Sequence, residues 1–104
     1  MPSTESLLAL DPQELTTVRH ILHQYVPERE VRVFGSRARG AAKPYSDLDL
    51  VLMGATPLPL TTLGLLNEAF AESDLPWRVD VVDWASTAPE FQRHIADHSV
   101  PLPL

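Results

Sequence analysis

Ten prolines partition this 104-residue chain, and their positions limit every element it can form. A proline ring removes one backbone donor and clashes with the preceding helical turn, so it is found at helix starts, in turns and on strand edges. Pro12, Pro27, Pro44, Pro57, Pro59, Pro76, Pro89 and Pro101 fall between or at the ends of apolar-patterned segments. The chain is therefore restricted to short helices and strands. No apolar run approaches the ~18–20 residues of a membrane span.

The segments between the prolines carry readable periods. Asp11-Pro12-Gln13-Glu14 offers an N-cap acceptor, a proline at the first helical position and a capping-box glutamate. Leu15, Val18, Leu22 and Tyr25 then recur at helical spacing until Pro27. Residues 31–34 are β-branched and aromatic and stop at Gly35, predicting a short strand. Residues 36–42 suit a helical turn, 47–53 a second strand, 54–59 a loop and 60–73 a helix with Leu63, Leu66 and Phe70 on one side. A third strand is expected over 77–82 and a last helix over 88–98, with Phe91 and Ile95 four apart. The tail 100–104 reads as an extended end. This order predicts one α/β (α+β) domain over 1–104: a small mixed sheet with helices packed on one face and the other face open.

Composition narrows the function. A hydrophobic fraction of 44% is enough for a packed core and argues against disorder. The net charge of −6 argues against a general nucleic-acid binder, which meets phosphates with excess Lys and Arg. There is no cysteine, hence no disulfide or thiolate chemistry. The N-terminal residues lack a basic segment followed by a long apolar stretch, and cytoplasmic residence is expected.

The chemistry concentrates in FGSRARGAAKPYSDLDL, residues 34–50. Side chains alternate along a strand, so Asp47 and Asp49 share a face about 6.5–7 Å apart while Leu48 and Leu50 point inward. Two carboxylates this close repel each other, and a divalent cation is the simplest relief. An isolated Asp-x-Asp is more often a solvated strand face; the third strand alters that balance. There Val79 and Val81 point inward, so Asp80 points outward beside Arg78. Asp83 faces the opposite way or leaves the strand, and is a reserve only. Three carboxylates on one open face can hold two Mg²⁺ ions ~3.5–4 Å apart, an arrangement used in phosphoryl and nucleotidyl transfer. Arg37, Arg39 and Lys43 reverse the acidic charge locally, which suits a compact anionic ligand. Gly35 and Ser36 end the first strand, where glycine lets backbone approach a ligand and free N–H groups favour an anion. A Walker-type phosphate loop is excluded, because Gly-x-x-x-x-Gly-Lys-Ser/Thr is absent.

Phe34-Gly35-Ser36, an interval of ten residues, and Asp47-Leu48-Asp49 together resemble the signature of the DNA-polymerase-β-like nucleotidyltransferases. GSRARG followed by SDLDL is similar to the minimal nucleotidyltransferase branch, and RVDVVDWASTAPEFQRHI resembles that branch's third-Asp strand and last helix. The resemblance spans 31–95. It implies a nucleotidyltransferase fold, with Asp47 and Asp49 binding both Mg²⁺ ions. Asp80 would complete one ion site and help deprotonate the attacking hydroxyl. Gly35 and Ser36 would hold the terminal phosphates of ATP, with Arg37 and Arg39 beside the triphosphate and Lys43 a weaker candidate. The same resemblance implies AMP transfer from ATP to a hydroxyl, with a HEPN-domain toxin as partner, its tyrosine as acceptor and this chain as antitoxin. With 104 residues there is no further domain for tRNA, an aminoglycoside or a primer, so no direct nucleic-acid or membrane binding is expected. Homo-association stays open. Two rival readings remain: a non-catalytic antitoxin that occludes its partner, and a small-molecule (antibiotic) nucleotidyltransferase. His20/His23 and His94/His98 have metal-like spacing but no third ligand, and read as solvated helix residues. Trp77 and Trp84 read as packing residues.

Overall fold

The structure is a computed structural model describing residues 10–40, 43 and 45–102; positions 41–42, 44 and 103–104 of the predicted turn and tail lie outside the described residues. Helix α1 (Pro12–Tyr25) starts as its sequence predicts. Asp11 Oδ1 accepts the Glu14 N–H at 2.7 Å and Glu14 Oε1 accepts the Asp11 N–H at 3.1 Å, a complete capping box. The next elements are β1 (Val31–Phe34), a one-turn α2 (Gly35–Ala38), β2 (Leu48–Leu52) and α3 (Leu60–Ala71). Strand β3 (Val79–Asp83), a 3₁₀ turn (Trp84–Ser86), α4 (Pro89–His98) and a two-residue β4 (Val100–Pro101) complete the order.

The sheet is mixed, in the order β3-β2-β1-β4. β1 and β2 pair antiparallel, from Val31 opposite Leu52 to Phe34 opposite Asp49. β2 and β3 pair parallel, which requires a crossover, and α3 supplies it. Val31, Val33, Leu48, Leu50 and Leu52 are fully buried on one face against Leu15, Val18 and Leu22 of α1 and Leu66 and Phe70 of α3. Each such side chain stabilises the fold by roughly 1.5–3 kcal/mol through removal from water.

The opposite face departs from expectation in one respect: part of it is covered. Val51 and Ile95 are each 0% exposed yet belong to no part of the main core, and Phe34 meets Phe91 edge-to-face at 5.9 Å between centroids. The chain must cross from the β3 edge to the β4 edge, and α4 makes that passage on this face. Arg32 secures the crossing, donating from Nε to Ser99 Oγ at 2.7 Å and from Nη2 to the Ser99 carbonyl at 3.1 Å. β4 then pairs antiparallel with β1, where the missing N–H of Pro101 is tolerated because the strand is an edge. Half of the second face is thus roofed and the β3 half is not.

Replacing Asp11 with Ala removes the cap acceptor and is expected to lower stability by about 1 kcal/mol, read as a lower denaturation midpoint at unchanged slope.

Candidate active site

Strand register assembles the acidic residues. Phe34 lies opposite Asp49, and Asp49 lies opposite Asp80, so the three form one row across β1, β2 and β3 on the face away from the main core. Neighbouring strands are ~4.8 Å apart, which brings the Asp49 and Asp80 carboxylates within mutual influence. Asp47 is exposed and sits just before β2, where the Leu48 N–H donates to the Arg78 carbonyl at 2.9 Å and fixes the start of the parallel pairing.

The electrostatics follow from this packing. Burial pushes the Asp49 carboxyl above its ordinary value, and the negative charges of Asp80 and then Asp47 push it further in the same direction. Asp80 is drawn instead to Arg78, with Oδ1 3.0 Å from Nη2. Among the described residues no three His, Asp or Glu side chains are gathered tightly enough to hold a metal ion alone. Asp49 and Asp80, with Asp47 beside them, are an all-oxygen, like-charged donor set short of positive charge, which is chemically suited to a hard dication that takes further oxygens from its substrate.

Gly35 brings the turn against this row. Its φ is +75°, and a Cβ at this position would collide with Asp49 Oδ2. Only glycine accommodates both the left-handed backbone and the adjacent carboxylate. Phe34, at the N-cap of α2, supplies no side-chain acceptor, so among the described residues this short helix has no side-chain cap at its start.

Arg37 does not lie where a triphosphate contact was expected. It is 1% exposed, and its Nε and Nη2 donate to the Ser46 carbonyl at 3.1 and 2.7 Å. Its guanidinium also lies over Trp77, with Cζ 4.5 Å from the ring centroid. Burial pulls its pKa down, partly offset by the charges of Glu14 and Asp47. Arg37 therefore acts from inside, holding the residue immediately before Asp47. A buried arginine needs such partners, since an unpaired buried charge is strongly destabilising. Trp77 is a packing residue, as its sequence context suggests. Arg39, by contrast, is exposed; its backbone N–H donates to the Ser36 carbonyl at 3.2 Å, while its guanidinium makes no hydrogen bond or ion pair among the described residues. Lys43 is exposed as well, and its N–H donates to Ser46 Oγ at 2.8 Å.

Asp83 belongs elsewhere. At the far end of β3 it is buried, and its Oδ2 accepts the Leu58 N–H at 2.9 Å and the Ser86 hydroxyl at 3.0 Å, tying the 54–58 loop to the strand. The four histidines are all exposed. What sequence reasoning missed is the part played by Arg37. Its only sequence signal was an arginine in the same turn as Gly35, which does not distinguish inward from outward.

Known proteins resemble this chain over most of its length. Residues 15–101 match the family model described as "Nucleotidyltransferase domain". Over 88 residues the chain is 50% identical to the Haemophilus influenzae protein named "Probable protein adenylyltransferase MntA", covering 85% of this chain and 77% of that one. A solved candidate minimal nucleotidyltransferase is 31% identical with a TM-score of 0.66, each chain covered to 97%. A complex of tri-AMPylated Shewanella oneidensis HEPN toxin with MNT antitoxin shares the fold, at 21% identity and TM-score 0.65, over 86% of this chain and 68% of that one.

Two outcomes follow from the crowding at Asp49. A raised folded-state pKa means that ionisation favours the unfolded chain: this increment of stability is full below the ordinary carboxylate pKa and is lost as pH rises through the raised value. At neutral pH, without divalent ions, Asp49→Asn is therefore expected to raise Tm, and adding Mg²⁺ to narrow the gap by stabilising the wild type alone. Gly35→Ala is expected to destabilise by about 1–3 kcal/mol, visible as a lower Tm.

Proposed function

Because this chain belongs to the nucleotidyltransferase domain family, we propose that it transfers AMP from ATP to a tyrosine hydroxyl of a cognate HEPN-domain toxin, and so acts as an antitoxin. The observation that carries this reading is the row of Asp49 and Asp80 in parallel register, with Gly35 pressed against Asp49. In this reading the turn accepts an anion at one end of the row and the Asp80 carboxylate receives a hydroxyl at the other. The use of ATP sites the reaction in the cytoplasm.

Asp47, Asp49 and Asp80 are the residues that would hold Mg²⁺, with phosphate oxygens completing coordination that the side chains do not supply alone. When bound, the ions would offset the charge of the polyphosphate. The chain's own residues do the rest. The N–H groups of Gly35 and Ser36 receive the terminal phosphates, and Arg39 adds a mobile positive charge at the rim. Arg37 works indirectly, keeping Ser46 and hence Asp47 in place. The acceptor oxygen attacks the α-phosphorus, a new O–P bond forms, the bond from that phosphorus to the bridging oxygen breaks, and pyrophosphate leaves. The hydroxyl proton passes to the Asp80 carboxylate, which must first part from Arg78. No side chain becomes covalently modified, so positioning and charge neutralisation supply the acceleration.

The test uses ATP labelled at the α-phosphate, Mg²⁺ and the HEPN protein encoded beside this chain. Label is expected on a tyrosine of that protein, and Asp47→Asn/Asp49→Asn is expected to slow transfer by about 10²–10³-fold or more. Full neutralisation of the toxin by the double variant, with no label transferred by the wild type, would replace this reading with simple occlusion. Label on an aminoglycoside in the absence of any protein partner would make it a small-molecule enzyme.

A further inference from the structure

The two edges of the sheet are treated differently. β4 and the Leu102 N–H, which donates to the Val31 carbonyl at 3.0 Å, close the β1 side, whereas among the described residues β3 pairs with β2 alone. In a parallel pair, successive residues turn their backbone groups to opposite sides. The Arg78 carbonyl accepts from Leu48, so Arg78, Asp80 and Val82 address β2, while Val79 and Val81 turn their N–H and C=O groups outward. This free edge borders a groove of about 850 Å³ bounded by Asn67, Phe70 and Ala71 on α3, by Trp77 ahead of the strand, and by Asp80. Asp80 thus belongs both to the lining of the groove and to the acidic row.

Building on the transferase reading above, the chemistry gives this groove a direction. In-line displacement at phosphorus needs the entering and leaving oxygens on opposite sides. With the terminal phosphates at the Gly35–Ser36 end of the row, the hydroxyl enters from the β3 end, and the backbone that carries it passes along the β3 edge. We infer that the groove receives an extended polypeptide segment bearing the acceptor hydroxyl. That segment adds as a fifth strand against Val79 and Val81, and one of its side chains reaches Asp80. A line of outward N–H and C=O groups is matched by another backbone and not by a small molecule. Strand alternation then turns every second side chain of the guest toward the face that carries Asp80. A second copy of this chain paired here would close the entry to both acidic rows.

Two measurements decide the matter, both with the HEPN protein encoded beside this chain. In amide hydrogen exchange on the free wild type, Val79 and Val81 are expected to exchange fast, and saturating partner to slow both at least about tenfold. In steady-state transfer, Asn67→Trp, an exposed α3 position whose indole would fill the groove, is expected to raise the KM for the partner about tenfold or more, with the KM for ATP unchanged. Unaltered exchange at both valines, together with an unaltered partner KM, would overturn the groove assignment while leaving the transferase reading standing. Protection of both valines in the free protein alongside a doubled mass would overturn it in favour of self-pairing. Absence of transfer by the wild type would sink the transferase reading instead, and the exchange arm alone would then decide the groove.

Discussion

The parallel pairing of β2 with β3 is the constraint from which the remaining features follow. Leu48, Leu50 and Leu52 on one strand and Val79 and Val81 on the other send their side chains to the α1–α3 side, and alternation leaves Asp49 and Asp80 on the reverse. A slip of one residue would drive carboxylates into the aliphatic core and leucines into water, at a cost of several kcal/mol. The register that maximises apolar burial is therefore the register that sets two like charges side by side. The core holds Asp49 in a position that its own electrostatics oppose.

Carboxylates held against repulsion need rigid support, and the structure supplies it from beneath. Gly35 lets the turn approach Asp49 closely, and Arg37 bridges from the interior to the Ser46 carbonyl while lying over Trp77. At the other end of the sheet Arg29 donates to the carbonyls of Met53 and Thr56, at 3.2 and 2.8 Å, and Asp83 fastens Leu58. These polar ties anchor both loops that flank β2.

The asymmetry of the second face has a functional counterpart. α4 shelters Phe34 and Val51 near β1, leaving Asp80 and the β3 edge accessible. No helix among the described residues is long and apolar enough to cross a membrane.

Local signals in the sequence were sufficient for the Asp11 cap, the order of the elements and the inward leucines, because each depends on residues within one turn or one pleat. The partner of a side chain is a different matter. Whether the guanidinium of Arg37 faces water or a tryptophan forty residues on, whether α4 lies above or beside the sheet, and whether Val100–Pro101 joins β1 depend on how distant segments pack. By itself the chain's sequence determined which residues alternate, in what order the elements follow and which chemical groups are on offer. Tertiary structure alone decided which of those groups meet, since burial and strand register are energies shared between segments far apart in the chain.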